Sequence, residues 1–527
     1  KKSILVSLMI KKLFENRYFI LFIFPFFIGS ISVLSFQPFN LTIINFIIFP
    51  LFFYLIVYIS KKSQSVYRKK PFKINLFLFG LSFGFGFYLS GVSWIVNSLT
   101  FDDNFKILIP FGLIFIPLFL SLFIAIPISL IAQNLRLNFP SLIIFSATLA
   151  FSDYLRAKLL TGFPWNLWAY STSWIIEIIQ ILNHLGLYAY NLIVVTLFTL
   201  PIIIFFKISN TKKILILFLS VLFILSLYIY GNYTINKNKK FLESIENKKL
   251  IKVISPNFEL KYGLNENEIE ERLKKIIRYS EPNKEKTTLF VWPEGVFSGY
   301  SYKEILFSKE LIKKSFSKNH FIILGANQLD TMSGQYFNSM LILDNNLEII
   351  DNYNKIKLVP FGEFLPFEKI LNNFGLKKIT EGYGSFLKGR TNKNVIVDNF
   401  NILPLICYEI IFTDLIQKSK AETNLIVNIS EDGWFGDTIG PNQHFTKSIF
   451  RAIENNTFLV RSANKGISAI IDNKGNIVKK LDRNEAGNIE SEIPLIKSNK
   501  NKNDLIFFIL LITYLFIFLL TKKNDKK

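Results

Sequence analysis

The chain has 527 residues, 50% of them hydrophobic and 16% aromatic, with 56 Phe and a formal net charge of +22. That much apolar content, gathered in runs, excludes a purely soluble protein and predicts a membrane part and a soluble part. Many of the lysines flank apolar spans, as in cytoplasmic loops, so the charge does not argue for nucleic acid, and one cysteine excludes an intramolecular disulfide.

Residues 1–17 are basic, and 18–36 form an apolar span of membrane length. A second span at 41–59 follows at once and no Ala-x-Ala site intervenes, so the first reads as a retained helix rather than a signal peptide. After a basic loop at 61–73, further spans are predicted at 75–96, 107–133, 141–157, 175–206 and 214–230, and a last one at 505–520. That makes about eight transmembrane helices, with residues 1–231 as a transmembrane region, 232–503 as a soluble domain and 504–527 as a final helix with a basic tail. The basic loops at 61–73 and 207–213 and both basic ends fall on one side, which predicts cytoplasmic termini and a soluble domain on the opposite face.

Within the membrane part, the Gly162-Phe163-Pro164-Trp165-Asn166-Leu167-Trp168 loop reads as an interfacial aromatic belt or as a wall of a lipid-entry site. Asp153 and Arg156 form an ionisable pair near a helix end, where such groups can snorkel. His184 reads as an interior residue.

From residue 250 the pattern becomes α/β. Strands are predicted at 250–254, 288–292, 321–325, 339–343, 395–397, 402–407, 425–429 and 467–472, and helices at 266–280 and 441–455. The run 349–355 has the same strand-like look. Three strand ends carry chemistry. Leu289-Phe290-Val291 runs into Trp292-Pro293-Glu294, the 349–355 run ends on Lys355, and Ile402-Leu403-Pro404-Leu405-Ile406 delivers Cys407. A carboxylate, an amine and a thiol so placed are the parts of a covalent acyl-transfer site. The three His are too scattered for a zinc site.

Together these segments resemble the nitrilase superfamily with its Glu-Lys-Cys triad, and most closely its membrane-bound apolipoprotein N-acyltransferase branch. The resemblance rests on Trp292-Pro293-Glu294, Tyr353-Asn354-Lys355 through Gly362-Glu363, Cys407-Tyr408-Glu409, the Asn428–Asp437 and Gly440–His444 stretches, and Arg461–Ser468. It implies an α-β-β-α sandwich and a catalytic triad of Glu294, Lys355 and Cys407, supported by Glu363, Tyr408 and Glu409. Glu363 and Glu409 are expected to hold the lysine and keep it charged. It also implies a phospholipid acyl donor, a diacylglyceryl-cysteine lipoprotein as acceptor, no cofactor, and an inner-membrane location with the soluble domain in the periplasm. The enzyme is expected to act as a monomer. Tyr262, Asn338, Trp434 and Trp165 stand as candidate substrate contacts. Departures from the pattern are Gly295 and Val296 after the glutamate, Tyr262 where Trp is common, and Lys357, which leaves a second candidate amine. The competing readings are a membrane-anchored amidase and a non-catalytic lipid carrier.

Overall fold

The computed structural model describes residues 15–63, 71–261, 263–297, 299–366, 368, 385–417, 422–498 and 503–524. Tyr262, most of the first basic loop and most of the basic N-terminal segment lie outside the described residues. The chain divides into two compact units: one of 1–96, 106–231 and 502–527, the other of 97–105 and 232–501. The short segment Asn97–Phe105, between two apolar helices, therefore belongs with the second unit.

The first unit is helical. Six helices among the described residues are long and apolar enough to cross a membrane: Thr42–Lys62, Lys73–Thr100, Asp103–Asn134, Leu187–Phe205, Asn210–Glu243 and Asp504–Thr521. The shorter apolar helix Phe19–Ser35 and the more polar helix Phe139–Lys158 bring the total close to the expected eight. Small residues let backbones touch where helices cross. A Cβ on Gly80 would sit 2.9 Å from the Ala125 Cα, and one on Gly84 would sit 2.9 Å from the Ser121 Cα.

Four sequence expectations are corrected in this unit. The 175–206 span is not one helix, because Gly186 takes φ +75° and separates Leu182–Leu185 from Leu187–Thr199. The Gly162 loop is not an interfacial belt. Trp168 stacks on Phe87 at 4.7 Å, Trp165 lies 4.5 Å from Trp94, and both indoles are buried. Arg156 does not snorkel either. It is buried, bonds Asp153 at 2.9 Å and donates to the Phe163 carbonyl, so the pair holds that loop in place. His184 is exposed rather than interior, with Nε2 2.7 Å from the Tyr230 hydroxyl.

Among its described residues the second unit has twelve strands: β1 (Lys248–Ser255), β2 (Thr288–Val291), β3 (His320–Leu329), β4 (Tyr336–Leu343), β5 (Ile349–Asn354), β6 (Val395–Val397), β7 (Phe400–Ile406), β8 (Leu425–Glu431), β9 (Leu459–Asn464), β10 (Ser468–Ile471), β11 (Ile477–Leu481) and β12 (Gly487–Pro494). They form two six-stranded sheets in the orders β12-β1-β2-β3-β4-β5 and β11-β10-β9-β8-β7-β6. Each has three parallel strands, β1-β2-β3 and β7-β8-β9, extended by antiparallel neighbours. Val253, Val291, Ile323 and Met340 from one sheet share an apolar core with Ile402, Val427, Ile429 and Val460 from the other.

Helices cover the outer faces. Glu266–Ser280 is started by an Asn265–Glu268 capping box and buries Ile269, Leu273 and Ile276, one side of a 3.6-residue period. Those residues join Phe290, Ile322 and Leu341 in a second core on the first sheet's outer face. Gly440–Asn455 is an almost wholly buried helix at the other sheet. The result is the expected α-β-β-α sandwich. The sequence reading misses β9, β11 and β12. β11 is an exposed edge strand, β12 is a polar one, and β9 carries a buried arginine inside an apolar run.

Candidate active site

Glu294, Lys355 and Cys407 each follow the last residues of a strand, where the chain leaves the sheet and side chains are free of the ladder. Glu294 lies three residues beyond β2, at the turn opened by Pro293. Its Oε1 accepts from Asn338 Nδ2 at 2.8 Å, and its Oε2 accepts from the Glu431 amide at 3.3 Å. Lys355 directly follows β5 and is 1% exposed. Its Nζ bonds Glu363 Oε1 at 2.7 Å and lies 3.7 Å from Glu294 Oε1. Burial opposes the ammonium charge, but Glu294 and Glu363 outweigh it and hold the Lys355 pKa above the usual lysine range.

Cys407 begins a 3₁₀ turn directly after β7 and has φ +49°, a left-handed conformation unusual for a non-glycine residue. The thiol's pKa is raised, first by burial and then by the Glu294 charge, with Lys355 and a Ser430 hydrogen bond opposing. At rest this group is therefore the thiol, and any attack by its sulfur would require a base.

The supporting residues separate by what they touch. Glu363 bonds Lys355 directly, and its Oε2 accepts from the Val359 amide at 2.8 Å. Glu409 does not hold the lysine's amine, contrary to expectation. Its Oε1 accepts from the Tyr353 hydroxyl and the Ile356 and Lys357 amides at 2.8–2.9 Å, and its Oε2 accepts from the Ile406 amide at 2.9 Å. It thus ties the backbone beyond Lys355 to the backbone before Cys407. Burial pushes its pKa up to about 7 against those hydrogen bonds. Tyr408 packs edge-on against Phe412 at 5.0 Å.

Lys357 lies away from this cluster. Its amine is 3.8 Å from Asp414 Oδ2 and 4.7 Å above the Phe412 ring, so Lys355 is the lysine beside the two glutamates. Among the candidate substrate contacts, Asn338 lies between the two glutamates. Its amide donates to both Glu294 and Glu363 at 2.8 Å and so bridges the two carboxylates. Trp434 lies in the turn after β8, with its carbonyl accepting from Asn97 at 3.0 Å and its ring 5.1 Å from Phe101. Trp165 belongs to the first unit.

Sequence reasoning assigns no role to a group behind Cys407. Asp432 accepts from Ser430 at 2.7 Å, His444 Nδ1 at 3.0 Å and Arg461 Nη2 at 2.7 Å, and all are buried. Burial opposes the Asp432 charge, but Arg461 and His444 outweigh it and hold its pKa below the usual carboxylate range. Asn428 donates to the Leu405 carbonyl at 3.0 Å and also meets Arg461, linking this group to the strand that carries the cysteine. The available signal was charge inside buried strands, Arg461 in β9 and Glu431 ending β8.

The apolipoprotein N-acyltransferase N-terminal domain matches residues 28–200, and the carbon-nitrogen hydrolase domain matches residues 260–499. Apolipoprotein N-acyltransferase of Rickettsia typhi is 34% identical over 478 residues, covering 89% of this chain and 91% of that one. That of Rhodopseudomonas palustris is 29% identical over 481 residues, covering 88% of each. Among solved structures, a carbon-nitrogen hydrolase superfamily protein of Xanthomonas campestris aligns with 47% of this chain and 91% of its own, at 14% identity and a TM-score of 0.35. With both domains matched in order and full-length relatives above 30% identity, this chain belongs to the apolipoprotein N-acyltransferase family.

Proposed function

We propose that the enzyme moves a fatty acyl chain from a membrane phospholipid to Cys407, and from there to the α-amino group of a lipoprotein's N-terminal diacylglyceryl-cysteine. The observation that carries this reading is the meeting of the Lys355 amine, directly after β5, with Glu294 beyond β2 and with Glu363, in a chain whose described residues include six membrane-length helices. Glu294 takes the Cys407 proton as sulfur attacks the ester carbonyl. The Lys355 ammonium faces the developing oxyanion, a charge-stabilising role of the kind that dominates acyl transfer. The tetrahedral intermediate collapses, the glycerol oxygen leaves with the proton from Glu294, and a thioester remains on Cys407. The acceptor amine then attacks that thioester, the thiol is regenerated, and an amide results.

A free α-amino group has a pKa near 8, so about a tenth of it is neutral and nucleophilic at pH 7. The amide product lies below the starting ester, and the thioester between them is formed and consumed on the enzyme, so the route asks for no nucleotide. The basic flanks of the helices support an inner-membrane location, with residues 232–503 as a periplasmic catalytic domain. All three reacting groups come from one chain, which supports action as a monomer.

The test is acylation without acceptor. Purified protein given phospholipid alone should gain one fatty-acyl mass on the Cys407 peptide, removable by neutral hydroxylamine. A diacylglyceryl-cysteine peptide should then discharge it as an acid-stable amide. No mass on Cys407 in an active preparation overturns the covalent route, and discharge to free fatty acid with acceptor present favours an amidase-type hydrolase. Reporter fusions at Lys70 and Asn345 should report opposite compartments, and a shared compartment overturns the orientation.

A further inference from the structure

One buried carboxylate beside the proposed base has no part in the chemistry above. Glu431 ends β8 and is 3% exposed. Its amide donates to Glu294 Oε2 at 3.3 Å. Its side chain turns back along its own segment, where Oε1 accepts from the Gly433 amide at 2.8 Å and Oε2 accepts from Asn464 Nδ2 at 2.8 Å. Asn464 cannot turn away from this contact at no cost. Its Oδ1 accepts from the Phe258 amide at 2.8 Å, and its Nδ2 also donates to the Phe258 carbonyl at 2.9 Å.

The space for this carboxyl is made by two glycines. A Cβ on Gly295 would fall 2.6 Å from Glu431 Oε2, and a Cβ on Gly433 would fall 2.7 Å from Oε1. Gly295 directly follows Glu294 and has φ +80°, so the turn that aims the base is also the wall that the carboxyl leans on. Either side chain would overlap a group that is bonded on both oxygens and has nowhere to retreat.

We propose that Glu431 is a positioning residue for Glu294. Held between Gly295 and Gly433 and pinned to Asn464, it fixes the amide that binds the base and the turn that carries it. The inference rests on the reading of Glu294 as the base. A buried carboxyl so near another would be costly if both were charged. Burial, with Asn464 and Gly433 opposing and Glu294 adding, pushes the Glu431 pKa up to about 8, so near pH 7 it is mostly the neutral acid. It can then serve as a rigid hydrogen-bonded strut without a second full negative charge beside the site.

The experiment is a mutant cycle on the full-length protein in phospholipid micelles, reading single-turnover acylation of Cys407 against phospholipid concentration. Glu431→Ala should slow acylation by about a hundredfold, the scale of misplacing a catalytic group by an ångström, with the half-saturating phospholipid concentration unchanged. Gly295→Ala should cost at least about tenfold more in the wild-type background than in Glu431→Ala, because the overlap exists only when the carboxyl is present. A wild-type rate in Glu431→Ala, a loss confined to half-saturation, or equal costs of Gly295→Ala in both backgrounds overturns the proposal. If Glu431→Ala lacks a thermal unfolding transition, Gly433→Ala decides. It keeps the carboxyl and crowds Oε1, so slower acylation at unchanged half-saturation supports the proposal and an unchanged rate overturns it. Glu294→Gln is run alongside. A wild-type rate there sinks the base assignment itself, whereas a dead Glu294→Gln with an active Glu431→Ala sinks only this inference.

Discussion

The two sheets of the catalytic unit furnish the site in different ways. The first sheet brings Glu294, Asn338 and Lys355, and its two charged groups are held mainly by side chains, each other's and those of Asn338 and Glu363, at 2.7–3.7 Å. The second brings Cys407 and Glu409. Here the carboxylate is held chiefly by backbone amides and the cysteine by a left-handed turn. A charge held by side chains is lost when one partner is replaced. A charge held by amides belongs to the fold and persists until the backbone moves. The difference predicts that replacing one partner on the first sheet leaves another buried charge uncompensated, while replacing Glu409 on the second frees the backbone on which Cys407 sits.

The largest effects should come from the three reacting groups. Cys407→Ala should abolish acylation with the fold intact, and Glu294→Gln should block it by removing the base. Lys355→Ala should cost about 100- to 1,000-fold in the acylation rate, the scale for losing one oxyanion donor. It also leaves Glu294 and Glu363 buried without their cation, so its thermal midpoint should fall, whereas that of Cys407→Ala should not. Acylation and melting curves of the three variants check this, and a stable, active Lys355→Ala would sink the assignment.

Glu409→Gln probes the amide-held carboxylate. Both oxygens accept, one from three donors and one from one. Either orientation of an amide therefore points an N–H at a donor, at a cost of about 1–3 kcal/mol. Denaturant unfolding should show that loss, together with slower acylation, because the turn before Cys407 is no longer tied to the segment after Lys355. Unchanged stability would break the contrast between the sheets.

The pH dependence sharpens it further. Burial, and then Arg461, push the His444 pKa down from 6.5 to about 4. Between those values the unfolded chain binds a proton that the folded chain refuses, so this contribution is complete above pH 6.5 and is lost as pH falls toward 4. Glu431 and Glu409, raised from 4.5 to about 8 and about 7, act in the opposite sense. The folded state keeps their protons, so their contribution is complete below pH 4.5 and declines as pH rises to 8. Between pH 4.5 and 6.5 the two carboxyls outnumber the one imidazole, so the net contribution of these groups to wild-type stability should fall as pH rises. His444→Asn removes the one rising slope, so its unfolding free energy should fall more steeply than wild type's as pH rises from 4.5 to 6.5, by about 1.4 kcal/mol more per pH unit. Parallel profiles for variant and wild type would refute this account.

Lys357→Ala should be the mildest change. The amine is partly exposed and 3.8 Å from Asp414, and exposed pairs contribute under about 1 kcal/mol. Acylation should stay within about twofold, because exposed substitutions outside special features are nearly neutral. A dead Lys357→Ala beside an active Lys355→Ala would reverse the choice of amine.

Much of this molecule is legible in its sequence because the signals are local. Membrane spans announce themselves by runs of apolar residues as long as a bilayer is thick. The strands ending near Glu294 and Cys407 are apolar runs followed by a polar break, and the one ending at Lys355 is a shorter, more polar run opened by two isoleucines. The helix Glu266–Ser280 carries its cap and its period within its own residues. Reactive residue types at such strand ends were therefore findable without coordinates.

What tertiary structure alone decided is which groups meet. Lys355 and Lys357 are two residues apart and chemically alike, and only the packing of β4 against β5 sends one amine to the glutamates and the other to Asp414. Asn338 and Glu294 are 44 positions apart, so no local pattern marks the bond between them. Trp165 and Trp168 are amphipathic in composition, and burial against Trp94 and Phe87 makes them core. Glu431 and Asp432 are neighbours that burial separates, one raised toward neutrality and the other held ionised by Arg461. Hydrophobic period is a property of a segment, whereas a charge's partner, and so its protonation, is a property of the folded interior where distant segments converge.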